Sequence, residues 1–144
     1  MGGPRSWSVL LAVLAAAPST GCVPSNVVAV TDRSVLVEAE RAAWRPATAA
    51  DVPGFYRSGE MTGALATALL RIEYLFDADG SFTGAALFAG PPPGFDTLSG
   101  SWTLDAEARL ALDDAEPADL EAADGMLRLL GADGTVVLYR EDLR

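Results

Sequence analysis

Few residues in this 144-residue chain can do chemistry, and nearly all of them are carboxylates. There are 20 acidic residues against ten arginines, with no lysine, no histidine and one cysteine, Cys22. The absence of histidine excludes a Ser-His-Asp triad, a Cys-His pair and His-ligated zinc or haem. Serines and threonines are plentiful, but without histidine or lysine as base a hydroxyl nucleophile has no activator. Asp77-Ala78-Asp79-Gly80 starts like a calcium loop. An EF-hand loop would need glycine where Phe82 stands and glutamate where Phe88 stands, so the segment reads as a hairpin turn. The densest acidic stretch, Asp113 to Asp124, offers oxygen ligands for a weakly held cation or a face for a basic partner. Nothing in it fixes two carboxylates at a catalytic separation, and such a charge run reads as a solvated loop. The sequence therefore predicts no catalytic residue, no metal site and no cofactor. A net charge of -10 argues against nucleic acid and against an anionic membrane surface as electrostatic partners.

What remains is apolar. Tyr56, Tyr74, Phe76, Phe82, Phe88 and Trp102 fall at alternating positions of short extended segments, so a curled sheet would bring them into one interior. Such a set either packs as core or lines a ligand cavity, and these six are the candidate ligand-binding residues. Trp102, between Gly100 and Leu104, reads as a buried anchor of the sheet.

The elements that must position them follow from the hydrophobic period. The stretch 22–47 begins as a tether at Pro24-Ser25 but carries many valines and Trp44, so part of it should dock on the domain. Thr48-Ala49-Ala50-Asp51 has the form of a capping box and predicts one helical turn before Gly54-Phe55-Tyr56-Arg57-Ser58, a first strand. Met61, Leu65, Ala68, Leu69 and Ile72 recur at three- and four-residue steps and predict a short helix over 62–69, with Gly63 against it. The period then falls to two. Segments 71–76 and 81–88 form a hairpin about Asp77-Ala78-Asp79-Gly80, with Gly84 as a candidate bulge. After the stiff loop Pro91-Pro92-Pro93-Gly94, strands are predicted at 101–104, 109–112, 126–130 and 135–139. Ala-Asp-Gly recurs at 78–80, 123–125 and 132–134 and reads as three turns of one chemistry. Short strands without crossover helices make an antiparallel meander, mainly β, of about seven strands with one or two short helices.

The order Gly54-Phe55-Tyr56, then Tyr74-Leu75-Phe76-Asp77-Ala78-Asp79-Gly80-Ser81-Phe82, then Gly100-Ser101-Trp102-Thr103-Leu104 resembles the small bacterial lipocalin-like (calycin-type) barrels. Those open with a Gly-x-Trp element, and here Tyr56 stands where tryptophan is usual. The resemblance covers 48–144 and implies a sheet curled into a full or partial barrel, sometimes around an apolar ligand, with the short helix plugging an open end. So few residues leave little chain to spare for a cavity, and the sequence favours a filled interior.

Residues 1–21 read as a secretory signal: Arg5, then an apolar run over 7–17 that is too short to cross a bilayer. Ser19-Thr20-Gly21-Cys22 resembles the lipobox of bacterial lipoproteins, with Ser19 where an aliphatic residue is usual. The resemblance implies cleavage before Cys22 and a lipid on its thiol. With Val23 rather than aspartate next, it implies the outer membrane where the organism has one. The predicted organisation is a signal at 1–21, a lipidated tether at 22–47 and a β-domain at 48–144. The predicted role is a non-catalytic, lipid-anchored envelope module for a small apolar ligand. The alternative is an accessory protein that meets another protein through its outer face or the 91–95 loop.

Overall fold

A computed structural model describes residues 38–142. A helical turn at 38–41 and a two-residue strand β1 (Arg45–Pro46) precede the main meander. There follow β2 (Gly54–Met61), helix α1 (Ala64–Ala68), β3 (Leu69–Phe76), β4 (Ser81–Phe88) and β5 (Gly94–Leu104). The chain ends with β6 (Arg109–Leu112), β7 (Ala118–Ala123), β8 (Met126–Gly131) and β9 (Gly134–Glu141). Each strand from β2 to β9 pairs antiparallel with the next, and β9 returns to pair with β2. The eight strands thus close on themselves as a lipocalin-like barrel. No edge runs the whole length of the sheet, which is how closure removes the hazard of an open one.

Side-chain alternation drives the closure. On β3, Ile72, Tyr74 and Phe76 are buried, and on β4 Phe82, Gly84 and Ala86 are buried opposite them. Tyr74 pairs with Gly84 in unbroken register, so Gly84 is not a bulge. A Cβ there would lie 3.0 Å from the Tyr74 ring, and glycine makes room for that ring. The bulges fall elsewhere, between Leu69 and Arg71 and between Ser58 and Met61. The second lets Met61 as well as Tyr56 reach the core.

Three elements depart from the sequence reading, the first being β5, which begins at Gly94 and so takes in 94–100 ahead of the predicted strand at 101–104. The acidic run is not all loop: Ala118–Ala123 is β7, the strand that raises the predicted seven to eight, with Leu120 and Ala122 buried. Its acidic residues alternate outward, where Arg128 donates to Glu121 at 2.6 Å. The helix is shorter than 62–69, because Gly63 and Gly134 meet backbone to backbone. A Cβ on Gly134 would sit 1.9 Å from the Thr62 carbonyl, and both glycines have positive φ. Backbone bonds from Thr62 to Thr135 (2.9 Å) and from Leu65 to Asp133 (3.3 Å) fasten the start of α1 to the β8–β9 turn. The third Ala-Asp-Gly thus forms the β8–β9 turn, as the first two form the β3–β4 and β7–β8 turns, and its glycine also makes this close backbone approach.

The barrel is thinnest between β6 and β7, where only Arg109–Asp119 and Leu110–Ala118 pair. Beyond them β1 takes up the same edge of β7, pairing Arg45 with Ala122 and Pro46 with Glu121. Trp44, just before β1, lies on the outer wall under the Arg128 guanidinium (4.3 Å) and donates from Nε1 to the Ala39 carbonyl (3.1 Å). Part of the 22–47 stretch therefore does dock. Cys22 and the signal segment lie outside the described residues.

Candidate functional site

The two ends of the barrel are occupied differently. The β3–β4, β5–β6 and β7–β8 turns lie at one end, and there the chain enters through the turn at 49–52. Val52 is fully buried, and Tyr56, Phe76 and Phe82 are all but fully buried. Phe76 sits at the centre of this packing. Its ring is 5.2 Å from Tyr74, 6.1 Å from Tyr56, 6.3 Å from Phe82 and 6.4 Å from Trp102. Four of the six predicted ligand-binding residues, Tyr56, Phe76, Phe82 and Trp102, thus fill this end with one another. Trp102 is only half-buried, a correction to its reading as a fully buried anchor. It covers Phe76 edge-on and donates from Nε1 to the Asp77 carbonyl at 2.9 Å.

A polar network covers the rings at that end, and its Arg45, Asp51, Tyr56 and Arg140 also line an open polar cleft of about 410 Å³ beside the β7–β8 turn. The Tyr56 hydroxyl donates to the Asp51 carbonyl at 2.7 Å and accepts from Arg140 Nη2 at 2.7 Å. The same Arg140 nitrogen reaches the carbonyls of Asp51 (3.0 Å) and Pro53 (2.8 Å), and its guanidinium lies 5.3 Å over the Tyr56 ring. Arg45 grips the Asp51 carboxylate with two bonds of 2.8 and 2.7 Å, and Thr48 adds two more. The Arg45 bonds hold the Asp51 carboxyl far below the ordinary carboxylate range. The expected capping box is present as a carboxylate-fastened turn.

At the opposite end, where α1 and the β4–β5, β6–β7 and β8–β9 connections gather, the interior is not full. A cavity of about 170 Å³ opens among Leu65 of α1, Leu69, Ile72 and Tyr74 of β3, Leu110 and Leu112 of β6, Leu129 of β8 and Val136 of β9. Ala115, Ala118, Gly131 and Gly134 complete an apolar rim, and Glu116 contributes the one charge. Of the six predicted residues only Tyr74 borders this space. Phe88 is half-buried and packs against the core beside it. The sequence reading missed the aliphatic wall, whose signal is the inward alternation of Leu110–Leu112 and Leu129.

Several of the carboxylates hold turns and strand pairs together. Asp79 Oδ1 accepts from the Ser81 amide (2.9 Å) and hydroxyl (2.6 Å), which holds the β3–β4 turn. Asp113 Oδ1 accepts from the Ser101 amide at 2.8 Å, and Glu121 faces Arg128. No three metal-ligating side chains converge among the described residues. No described helix is long and apolar enough to cross a membrane.

Closure, strand order and a cavity at one mouth define the class of protein: a lipocalin-like antiparallel barrel. Comparison with protein-family models, curated proteins and solved structures finds no match.

Proposed function

We propose that the protein is a non-catalytic binding module that holds a small apolar ligand in the mouth of its barrel. One observation carries this reading: an aliphatic cavity of about 170 Å³ stands open in a barrel whose other end is filled with aromatic rings. Apolar burial is the force such a space offers a ligand, and its wall offers no nucleophile with a base beside it. A fluorescent apolar probe titrated into the full chain should saturate and raise its thermal stability. A probe at ~100 Kd adds about 2.7 kcal/mol. Leu112→Trp, which fills the cavity, should abolish both effects. Binding that never saturates, or that survives Leu112→Trp, overturns the reading.

We also propose that a lipid on Cys22 holds the module in the cell envelope, at the outer membrane where the organism has one. The acidic body is repelled by anionic headgroups, so the acyl chains would do the anchoring. Cys22→Ser should release the protein from membranes. Unchanged processing before residue 22 together with membrane fractionation would refute the anchor.

A second reading, that the outer face meets a protein partner, is favoured by the start of β5. Phe95 is 69% exposed, and residues 94–100 have no strand beside them on the β6 side among the described residues. Phe95→Ser would abolish partner capture and leave probe binding unchanged.

A further inference from the structure

Tyr74 is the one uncharged side chain with a polar atom in the cavity wall, and we propose that it selects the ligand: the Tyr74 hydroxyl donates a hydrogen bond to a small, uncharged molecule that carries one carbonyl, ester or ether oxygen on a hydrocarbon body. The inference rests on reading the cavity as a ligand site, and it excludes both a bare hydrocarbon and a fatty-acid anion as the preferred occupant.

Tyr74 is 4% exposed and its ring is held from several sides. It stacks on Phe76 at 5.2 Å, meets Phe82 edge-on at 6.2 Å and occupies the space that Gly84 leaves free. Phenylalanine would satisfy all of those contacts, so packing does not require the oxygen. The barrel's other interior phenol, Tyr56, has its hydroxyl engaged by Arg140 and the Asp51 carbonyl. The Tyr74 hydroxyl has no hydrogen-bond partner among the described residues. Nor is it sealed away, because every fully enclosed side-chain oxygen and nitrogen among those residues has a partner. Tyr74 is among the residues that line this cavity. A hydrocarbon in the cavity would strip water from this hydroxyl and leave it unpaired, whereas a ligand acceptor would take the water's place.

Charge and size narrow the class. Burial pushes the Tyr74 phenol well above its ordinary pKa, so it stays an O–H donor. The cavity wall holds no arginine, and its one charged group, Glu116, is negative. An anionic headgroup would meet like charge and no counter-ion in a desolvated setting. A cavity of about 170 Å³ accepts a body near the size of one aromatic ring. In another protein, an engineered apolar cavity of ~150 Å³ binds benzene.

Three probes of one shape test this: acetophenone, its hydrocarbon isostere α-methylstyrene, and benzoate. In NMR titrations of the full chain, acetophenone should bind roughly tenfold more tightly than α-methylstyrene, the ratio that one net hydrogen bond supports. Benzoate should not compete. Tyr74→Phe should erase the acetophenone preference and leave the α-methylstyrene affinity unchanged. Equal affinities in the unaltered protein, tightest binding of benzoate, or a preference that survives Tyr74→Phe would each overturn the proposal while the cavity reading stands. If neither acetophenone nor α-methylstyrene saturates, the cavity reading fails and the proposal falls with it. The comparison in the unaltered protein decides the matter even if the variant does not fold.

Discussion

The same eight strands build both ends of the barrel, and the two ends solve the interior differently. At the closed end the inward positions carry rings, Tyr56, Phe76, Phe82 and half-buried Trp102, which meet across the centre. At the mouth the inward positions carry Leu69, Ile72, Leu110, Leu112, Leu129 and Val136. These side chains pack into the same core cluster as the rings yet leave a space of about 170 Å³ between them, and α1 offers only Leu65 toward it. The difference teaches that side-chain volume along one strand can divide a barrel into a plug and a container. β3 shows it within one element: Phe76 belongs to the plug, Ile72 to the container, and Tyr74 to the boundary between them.

The largest test of that contrast is Phe76→Ala. It removes the ring that the other aromatics share and should cost about 3–5 kcal/mol in equilibrium denaturation. A loss below about 1 kcal/mol would mean the closed end is not a packed plug. Leu112→Ala trims a wall that already faces open space. It should cost about 2 kcal/mol, the low end for a buried leucine, because fewer contacts are lost. It should also shift the preference of the mouth toward larger probes, whereas Phe76→Ala should leave probe size selection unchanged. Arg140→Ala strips the polar network from Tyr56 and should cost about 1–2 kcal/mol by thermal denaturation. Arg140→Lys should recover only part of this, since an ammonium lacks the fork that spans the Asp51 and Pro53 carbonyls.

The smallest effect is electrostatic and confined to acid. The Asp51 carboxyl titrates below its unfolded value, which is about 3.9, so its contribution is full above that pH and is lost as pH falls through the folded value. Asp51→Asn should therefore be less stable than the unaltered chain near neutrality. The two denaturation curves should converge as the pH drops below about 4. A gap that widens in acid would reverse the sign and remove the Arg45–Asp51 pair as the network's fastener.

Much of the fold could be read along the chain because period-two alternation in β-branched and aromatic segments is strong. The β3–β4 hairpin, the turn at Asp77–Gly80 and the strands near 109–112 and 126–139 stand where the alternation puts them, whereas β5 begins seven residues before the predicted 101–104. β7 could not be read so easily. Ala118-Asp119-Leu120-Glu121-Ala122-Ala123 alternates too, but alanine and acidic residues have low strand propensity, and the run looks solvated. Its burial comes from pairing with β8 on one side and with β6 and β1 on the other. Gly84 and Gly63 are similar cases. Each looks like a local break in the sequence, and each is explained by a distant neighbour, Tyr74 and Gly134.

Local chemistry was enough to set the strand period, the turn residues and the antiparallel class, because those depend on neighbours within a few positions. Which inward residues become plug and which become cavity wall was settled only when β9 closed on β2. Inward leucines and inward phenylalanines carry the same pattern in sequence, and the volume they must fill is a property of the closed barrel. Tyr74 illustrates the division: alternation alone sends it inward, and only closure puts it beside Phe76 on one side and in the cavity wall on the other.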